Sequence, residues 1–137
     1  MTWAQNLTRD ELIGHLAVCR DDPEFIQTRD AYLKSAVLSK DVQLVDLLLK
    51  AGANPNHAES WGDTLLHYLV HEYEVTRTTQ GAVVLQLADL LLSHGADPEL
   101  VGGGNWRAID LCIEHRLNEL VSLFVRYGAD PKQRAYV

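Results

Sequence analysis

The sequence predicts an all-α protein in which one helix-turn-helix unit recurs along the chain and ends each time in an extended loop. The run LLLKAGANP at 47–55 returns as LLLSHGADP at 90–98 and as LFVRYGADP at 123–131. The second and third runs are 33 residues apart; the first and second are 43 apart, which is the same period with ten residues inserted. Apolar residues that lead into each run recur at helical rather than alternating spacing. Such faces must be buried against neighbouring helices, so we expect the units to stack.

These runs divide the chain into a cap at 1–28 and three units at 29–61, 62–104 and 105–137. Together they are expected to form a single domain, because 137 residues is one domain's worth of chain. Predicted helices lie near 8–19, 30–39, 42–50, 64–73, 82–93, 107–115 and 118–126.

The cap region contains two signals for the start of a helix. Thr8 and Glu11 have the spacing of a capping box and precede an apolar run. Asp22-Pro23 is a second start, because proline favours the first turn of a helix. We expect an N-terminal helical cap, since stacked repeats bury their apolar faces only against neighbours.

Each unit should close with a sharp corner. Gly52, Gly95 and Gly128 follow the second helix, where a left-handed C-terminal cap is favoured. A proline three residues after each glycine prevents the helix from resuming. The chain is therefore expected to leave each helix pair as a loop.

The ten extra residues, 73–82, fall at the turn between the two helices of the second unit. The stretch EVTRTT at 74–79 is rich in β-branched residues, so a surface loop is predicted there rather than a helix. Two interpretations are open: a loop that the fold tolerates, or a partner-specific contact beside His71 and Glu72.

The units resemble ankyrin repeats, whose pattern runs approximately G-x-T-P-L-H-x-A-A, a turn, then E-V-V-x-L-L-L-x-x-G-A-D. The segment GDTLLH at 62–67 departs from that pattern only at Leu65, where proline is usual, whereas 29–34 and 105–110 keep little beyond the apolar fifth position. The three Gly-Ala-Asp/Asn-Pro corners are more specific. The resemblance covers 29–137 and implies an all-α ankyrin-repeat solenoid of stacked helix-turn-helix units with extended loops or short hairpins.

Composition excludes several classes of protein. Twelve basic residues against 19 acidic ones give a net charge of −7, which disfavours sequence-independent binding to the phosphates of nucleic acid. The acidic residues concentrate in 62–104, and they favour either a basic partner or simple solubility. No apolar run is long enough to span a membrane, and two cysteines are too few for a disulfide framework. A cytoplasmic protein is expected.

The motifs for chemistry are weak. His67 and His71 are four residues apart but lack the glutamate of zinc hydrolase motifs, so a metal-dependent hydrolase is a remote alternative. The resemblance implies that His67 supports the turn before its helix. Cys112 is predicted to be a buried packing residue, and the glycine run 102–104 a flexible loop tip rather than a phosphate loop. We predict no catalytic, cofactor-binding or metal-binding residues.

The resemblance implies a binding surface formed by the loop tips and by the exposed face of each first helix. The residues it selects are Ser60, Trp61, Asp63, His71, Glu72, His94, Trp106, Glu114, His115 and Tyr127. Trp61 and Trp106 occupy loop positions for which the family pattern provides no core pocket, and buried aromatic anchors dominate binding energetics. Either ring could instead lie flat on its own repeat.

The leading hypothesis is a recognition protein that binds and blocks or escorts another protein, as a monomer or weak dimer, without chemistry of its own. A small acidic ankyrin protein resembles bacterial immunity proteins, which neutralise a cognate toxin. The alternative is a regulatory adaptor or a self-associating scaffold subunit. An open C-terminal edge, expected at Phe124, Val125 and Tyr127, would favour self-association.

Overall fold

The computed structural model describes residues 8–18, 23–58, 62–104 and 106–131. The helices are α1 (Arg9–Val18), α2 (Pro23–Leu38), α3 (Val42–Lys50), α4 (Leu65–Ser93), α5 (Ala108–Glu114) and α6 (Asn118–Arg126). The described residues form no β-strand, only two isolated bridges, so the all-α class is confirmed. None of their helices is long and apolar enough to cross a membrane. The chain forms two compact units, Met1–Asn54 and Pro55–Val137.

The first compact unit contains α1, α2 and α3. The capping box that opens α1 is confirmed: the Glu11 N–H donates to the Thr8 hydroxyl at 3.2 Å, and the Thr8 N–H donates to Glu11 at 3.0 Å. Pro23 is the first residue of α2, as predicted. The helix then continues to Leu38, so the predicted helix start near residue 30 is wrong. No glycine or further proline occurs in this stretch to end the helix at 28.

The turns that join α2 to α3 and α5 to α6 have the same geometry. Lys40 and Arg116, which are 76 residues apart, both adopt positive φ, at 60° and 57°. The next N–H in each turn donates back across five residues, from Asp41 to the Ala36 carbonyl and from Leu117 to the Cys112 carbonyl. Since 76 is the sum of the intervals 43 and 33, the two turns occupy the same position of the repeat.

The glycine corners are confirmed. Gly52, Gly95 and Gly128 have φ values of 100°, 99° and 99°, in the left-handed region that favours glycine. At each corner the following alanine donates its N–H to the carbonyl five residues earlier, which is the Schellman arrangement. The three corners are therefore equivalent in structure as well as in sequence.

The inserted residues are helical, so the surface loop predicted at 73–82 is wrong. In the register of the two left-handed turns, the turn residue would be Tyr73; the chain instead continues as helix, with a kink at Gln80. The Thr76 hydroxyl donates to the Glu72 carbonyl at 2.7 Å, which accommodates a β-branched polar residue within the helix. Tyr73 is 3% exposed, and its burial outweighs the weak helix propensity of the residues that follow.

Buried apolar side chains follow the predicted helical spacing. In the first compact unit they include Leu12, Leu33, Val37, Leu44, Val45 and Leu48; in the second they include Leu66, Leu69, Val84, Leu87, Leu91, Ile109, Leu120 and Phe124. Cys112 is fully buried, as predicted. Phe124 is fully buried too, so its expected place at an open edge is wrong: it lies one turn after Leu120, on the buried face of α6. Val125 and Tyr127 are 42% and 37% exposed.

Candidate functional site

Two loops of the second compact unit are each closed by an antiparallel bridge. Ala58 pairs with Thr64 in what we call the first loop, and Val101 pairs with Arg107 in the second loop. The bridges are 43 residues apart at both ends, so the loops are equivalent positions of the repeat. α4 begins directly after the first bridge and α5 directly after the second.

The two loops are joined through glycine backbone. Asp63 Oδ1 accepts a hydrogen bond from the Gly103 N–H at 2.9 Å. Gly62 has a φ of 102°, and a Cβ placed there would be 3.2 Å from the Gly103 nitrogen. A Cβ on Gly102 would clash with Asp63 Oδ1 and lie 2.7 Å from Nε2 of His67. The glycine run, predicted to be a loop tip, therefore permits close packing of one loop on the other.

His67 makes a second connection between the loops. Its Nδ1 accepts from the Thr64 N–H at 3.1 Å, and its Nε2 lies 2.8 Å from the Trp106 carbonyl oxygen. A carbonyl oxygen only accepts, so the proton is on Nε2 and the ring is neutral. His67 is 4% exposed, and both ring nitrogens have partners. It is therefore a structural bridge, and it is not free to bind a metal together with His71.

An ionic cluster occupies the position equivalent to the Thr64–His67 pair in the next unit of the repeat, 43 residues later. Arg107 donates from Nε and from a terminal nitrogen to the two Asp110 oxygens, at 3.1 and 2.7 Å. Its other terminal nitrogen donates to Glu99 at 2.6 Å and to the Asp130 carbonyl at 2.9 Å. Burial by itself lowers the pKa of Arg107, but the hydrogen bonds to Glu99 and Asp110 outweigh it and raise that pKa. This cluster fastens the second loop to the last corner.

Each glycine corner is also held by a side-chain oxygen. The donors are the backbone N–H groups of Asn54, Asp97 and Asp130, and their acceptors are, in the same order, Asp30, Asn56 and Glu99, at 2.8, 2.6 and 2.9 Å. In the second compact unit, Asn56 and Glu99 are 43 residues apart, so the same position of the repeat fixes the next corner in both cases.

The predicted residues on the first helices lie in the first half of α4 and at the C-terminal end of α5. His71 and Glu114 are exposed at equivalent positions of α4 and α5, and His115 is exposed next to Glu114. Glu72 is half-buried and accepts a hydrogen bond from the Tyr68 hydroxyl at 2.8 Å. Burial, together with the hydrogen bond and the negative charge of Glu72, raises the pKa of Tyr68 to about 12.

The inserted helical segment contacts the third unit of the repeat. The exposed Glu74 and His115 side chains are in contact, with 3.2 Å between Oε1 and Nδ1. The buried Tyr73 donates its hydroxyl to Glu119 on α6. The insertion thus packs within the protein, and it also brings Glu74 beside the predicted site residue His115.

The predicted aromatic anchors have different outcomes. Trp106 is half-buried, and its backbone carbonyl is the acceptor for His67. A Cβ on Gly104 would lie 3.4 Å from the indole ring, so the ring is beside the glycine run. Trp61 and Ser60 lie outside the described residues.

The remaining predicted residues, His94 and Tyr127, follow α4 and α6 at equivalent positions 33 residues apart. His94 is half-buried. The Tyr127 hydroxyl donates to Asp89 at 2.6 Å, and this hydrogen bond raises the pKa of Tyr127. Tyr127 is thereby tied to the second half of α4, whereas Asp63, His71 and Trp106 belong to the loops and first helices.

The polar side chains of the site are joined by internal hydrogen bonds, among them those of Asp63 and His67. Within the described ranges, no group of three or more His, Cys, Asp or Glu side chains is arranged to hold a metal ion. Burial raises the pKa of the Cys112 thiol, which suits its packing role.

Sequence reasoning missed the residues that make the site rigid: Asn56, Glu99, Arg107 and Asp110. The sequence signal that could have identified them is their recurrence at equivalent positions of the repeat. Asn56 and Glu99 both stand directly after a corner proline, and Arg107 and Asp110 repeat the spacing of Thr64 and His67. Polar residues that recur in register at a loop suggest a repeated hydrogen bond even when their identity changes.

No protein-family model matches the sequence, and no curated protein matches it either. The equivalent corners, turns and loop bridges show that the chain is an internal repeat.

Proposed function

We propose that the protein is a non-catalytic recognition module of the ankyrin type, which binds another protein and blocks or escorts it. The observation that carries the proposal is the joining of the two loops, through Asp63 to Gly103 and through His67 to Trp106. These bonds hold Asp63, Gly103 and the Trp106 carbonyl in place before a partner arrives. A surface that is already ordered loses less conformational entropy on association.

The exposed side chains for recognition would come from the helices that start at those loops. α4 and α5 are in contact, and His71 and Glu114 are exposed at equivalent positions on them. Trp106 adds a half-buried aromatic ring at the second loop. An aromatic anchor flanked by polar side chains is the composition that protein interfaces favour.

A partner with a basic surface suits the acidic residues of the second compact unit. Its exposed carboxylates among the described residues are Glu74, Asp89, Asp97, Glu114, Glu119 and Asp130. Glu74→Gln with Glu114→Gln should slow association and weaken its salt dependence, because charges at the edge of an interface act mainly on the association rate. Glu74 and Glu114 are exposed, whereas Asp63 and Glu72 are half-buried and accept hydrogen bonds from Gly103 and Tyr68, so replacing them would also disturb the fold.

Within this class we propose a cytoplasmic immunity protein that neutralises a toxin. A toxin that acts on nucleic acid needs a basic surface to hold phosphates, and an acidic protein could cover that surface. The test is to co-express the protein with the product of the reading frame that adjoins its gene: that product should arrest growth when expressed alone, and co-expression should restore growth. Growth that stays arrested despite expression of the folded protein would contradict the immunity role and leave the binding role to be tested separately.

Capture from an extract of the source organism tests the binding role. The immobilised protein should retain a partner, and His71→Ala with Glu114→Ala should reduce the retained amount at least about tenfold if they lie in the interface. The matched control is Thr78→Ala with Ser93→Ala, two exposed polar residues on α4 away from the loops. Equal loss with both pairs, or with neither, would contradict the proposed surface.

A further inference from the structure

A groove of about 330 Å³ lies between the second half of α4 and α6, on elements that the proposed binding surface does not use. Its lining residues are Ala82, Leu85, Gln86, Asp89, Glu119, Leu123 and Arg126. Three of these side chains are apolar and four are charged or polar, so the groove suits a partner that brings both apolar contact and charge.

One face of α6 borders this groove with a regular pattern. Glu119, Ser122, Leu123 and Arg126 stand at positions i, i+3, i+4 and i+7, which share one side of a helix. Glu119 and Arg126 are two turns apart, a separation of about 10 Å along the axis. Opposite charges thus flank a centre made of a small exposed serine and the side of a leucine.

The two charges are held differently. Tyr73 donates its hydroxyl to Glu119, which fixes that carboxylate at one end of the groove. Asp89, the other carboxylate of the groove, accepts from Tyr127 at 2.6 Å. Arg126 is exposed, and among the side chains that the structure describes none forms an ion pair with it. A positioned acid and an open guanidinium are therefore presented on one face.

We propose that this face of α6 pairs with the same face of a second copy of the chain, antiparallel and about a two-fold axis. Turning the helix end for end brings Glu119 opposite Arg126 of the second copy, and Arg126 opposite Glu119 of the second copy. The axis passes between Ser122 and Leu123, the midpoint of the two charges, where the small serine permits close approach. A two-fold contact makes each ion pair twice.

The charge pattern decides the occupant. Along α6 itself, a basic peptide would satisfy Glu119 but would be opposed by Arg126, and an acidic peptide would face the reverse conflict. The remaining carboxylate, Asp89 on α4, already accepts a hydrogen bond from Tyr127. A partner must carry opposite charges two turns apart in antiparallel order, and α6 itself has that order. The pairing does not depend on the proposed function, which involves the loops and the first helices.

Charge reversal tests the pairing by sedimentation velocity over a concentration series. The protein should show a concentration-dependent dimer. Glu119→Arg and Arg126→Glu should each raise the dimer dissociation constant at least about tenfold, because each places two like-charged pairs across the axis. An equimolar mixture of the two variants should dimerise again, since each charge then faces its opposite.

The mixture controls for the hydrogen bond from Tyr73 that Glu119→Arg removes, because that loss persists in the mixture. Ser122→Arg gives an independent measurement of the dimer dissociation constant. Because Ser122 is exposed, the fold should survive, and the two arginines that meet at the axis should weaken the dimer. A wild-type protein that stays monomeric at all concentrations, single reversals that dimerise as the wild type does, or a mixture that stays monomeric would each overturn the proposal.

Discussion

Arg107→Met should destabilise the protein strongly, because it removes the cation from a buried ionic cluster. The Arg107 side chain is 3% exposed and that of Asp110 is fully buried. Methionine keeps much of the apolar stem but removes four hydrogen bonds, two to Asp110, one to Glu99 and one to the Asp130 carbonyl. Asp110 would keep one bond, from the Arg107 backbone N–H at 3.1 Å.

The magnitude follows from what is left behind. Removing one partner of a buried ion pair costs about 3 to 5 kcal/mol, mainly because the other charge stays buried without compensation. Single domains have a total stability of about 5 to 15 kcal/mol, so Arg107→Met should bring this protein close to unfolding. The partly exposed Glu99 contributes less, because water screens its pair with the arginine.

Urea unfolding followed by circular dichroism measures the effect. The double variant Arg107→Met with Asp110→Ala should lose less stability than Arg107→Met alone, since it also removes the orphaned carboxylate. Arg116→Met is the matched control, because Arg116 is an exposed arginine. Its backbone has a positive φ, but arginine and methionine both carry a Cβ, so the substitution leaves that backbone strain unchanged. A change of less than about 1 kcal/mol for Arg107→Met, or additive losses in the double variant, would refute this account.

Three further predictions concern single residues. Gly95→Val should destabilise by more than about 1 kcal/mol in urea unfolding, because nothing lies within 4 Å of the added Cβ and the cost is that of a φ near 99°; Gly95→Asn should cost less. Trp106→Ala should weaken partner binding about thirtyfold in calorimetry while unfolding changes little, since its carbonyl still holds His67; unfolding with normal binding of the folded fraction would make the ring a packing residue. Tyr68, with its pKa raised from 10.0 to about 12, should stabilise the fold below pH 10 and lose that contribution as the pH rises towards 12. An ultraviolet titration of Tyr68→Phe should therefore lose a phenolate step near pH 12, and loss of a step near pH 10 would contradict this.

The elements with local signals were predictable from the sequence. The observed bounds of α3 and α6 are those predicted, 42–50 and 118–126, because each ends at a glycine corner that stops the helix. The capping box of Thr8 and Glu11 is equally local, since both partners lie within one turn. Such features depend on backbone sterics and on neighbours three to five residues away.

The insertion was not predictable because its helix depends on distant contacts. The β-branched residues after Tyr73 disfavour helix by a few tenths of a kcal/mol each. Burial of the Tyr73 ring contributes about 2 kcal/mol, and the ring reaches its place by contact with Glu119, 46 residues later. An argument from helix propensity includes the cost of the β-branched residues but not the free energy gained by burying Tyr73. The same reasoning explains why Trp106 could be placed in a loop but not assigned an exposure.

The two bridged loops share one backbone arrangement, but the side chains that hold them are neutral in one loop and charged in the other. Thr64 and His67 form a neutral pair, which needs a carbonyl from the following loop to satisfy the second ring nitrogen. Arg107 and Asp110 have the same spacing but are charged, and the arginine reaches both Glu99 before it and the Asp130 carbonyl after it. A neutral bridge tolerates imperfect geometry at modest cost, whereas a buried ion pair is costly unless every partner is in place. The last described corner should therefore be the part of the loop surface whose order is most sensitive to substitution, even though the residues proposed to meet a partner lie elsewhere.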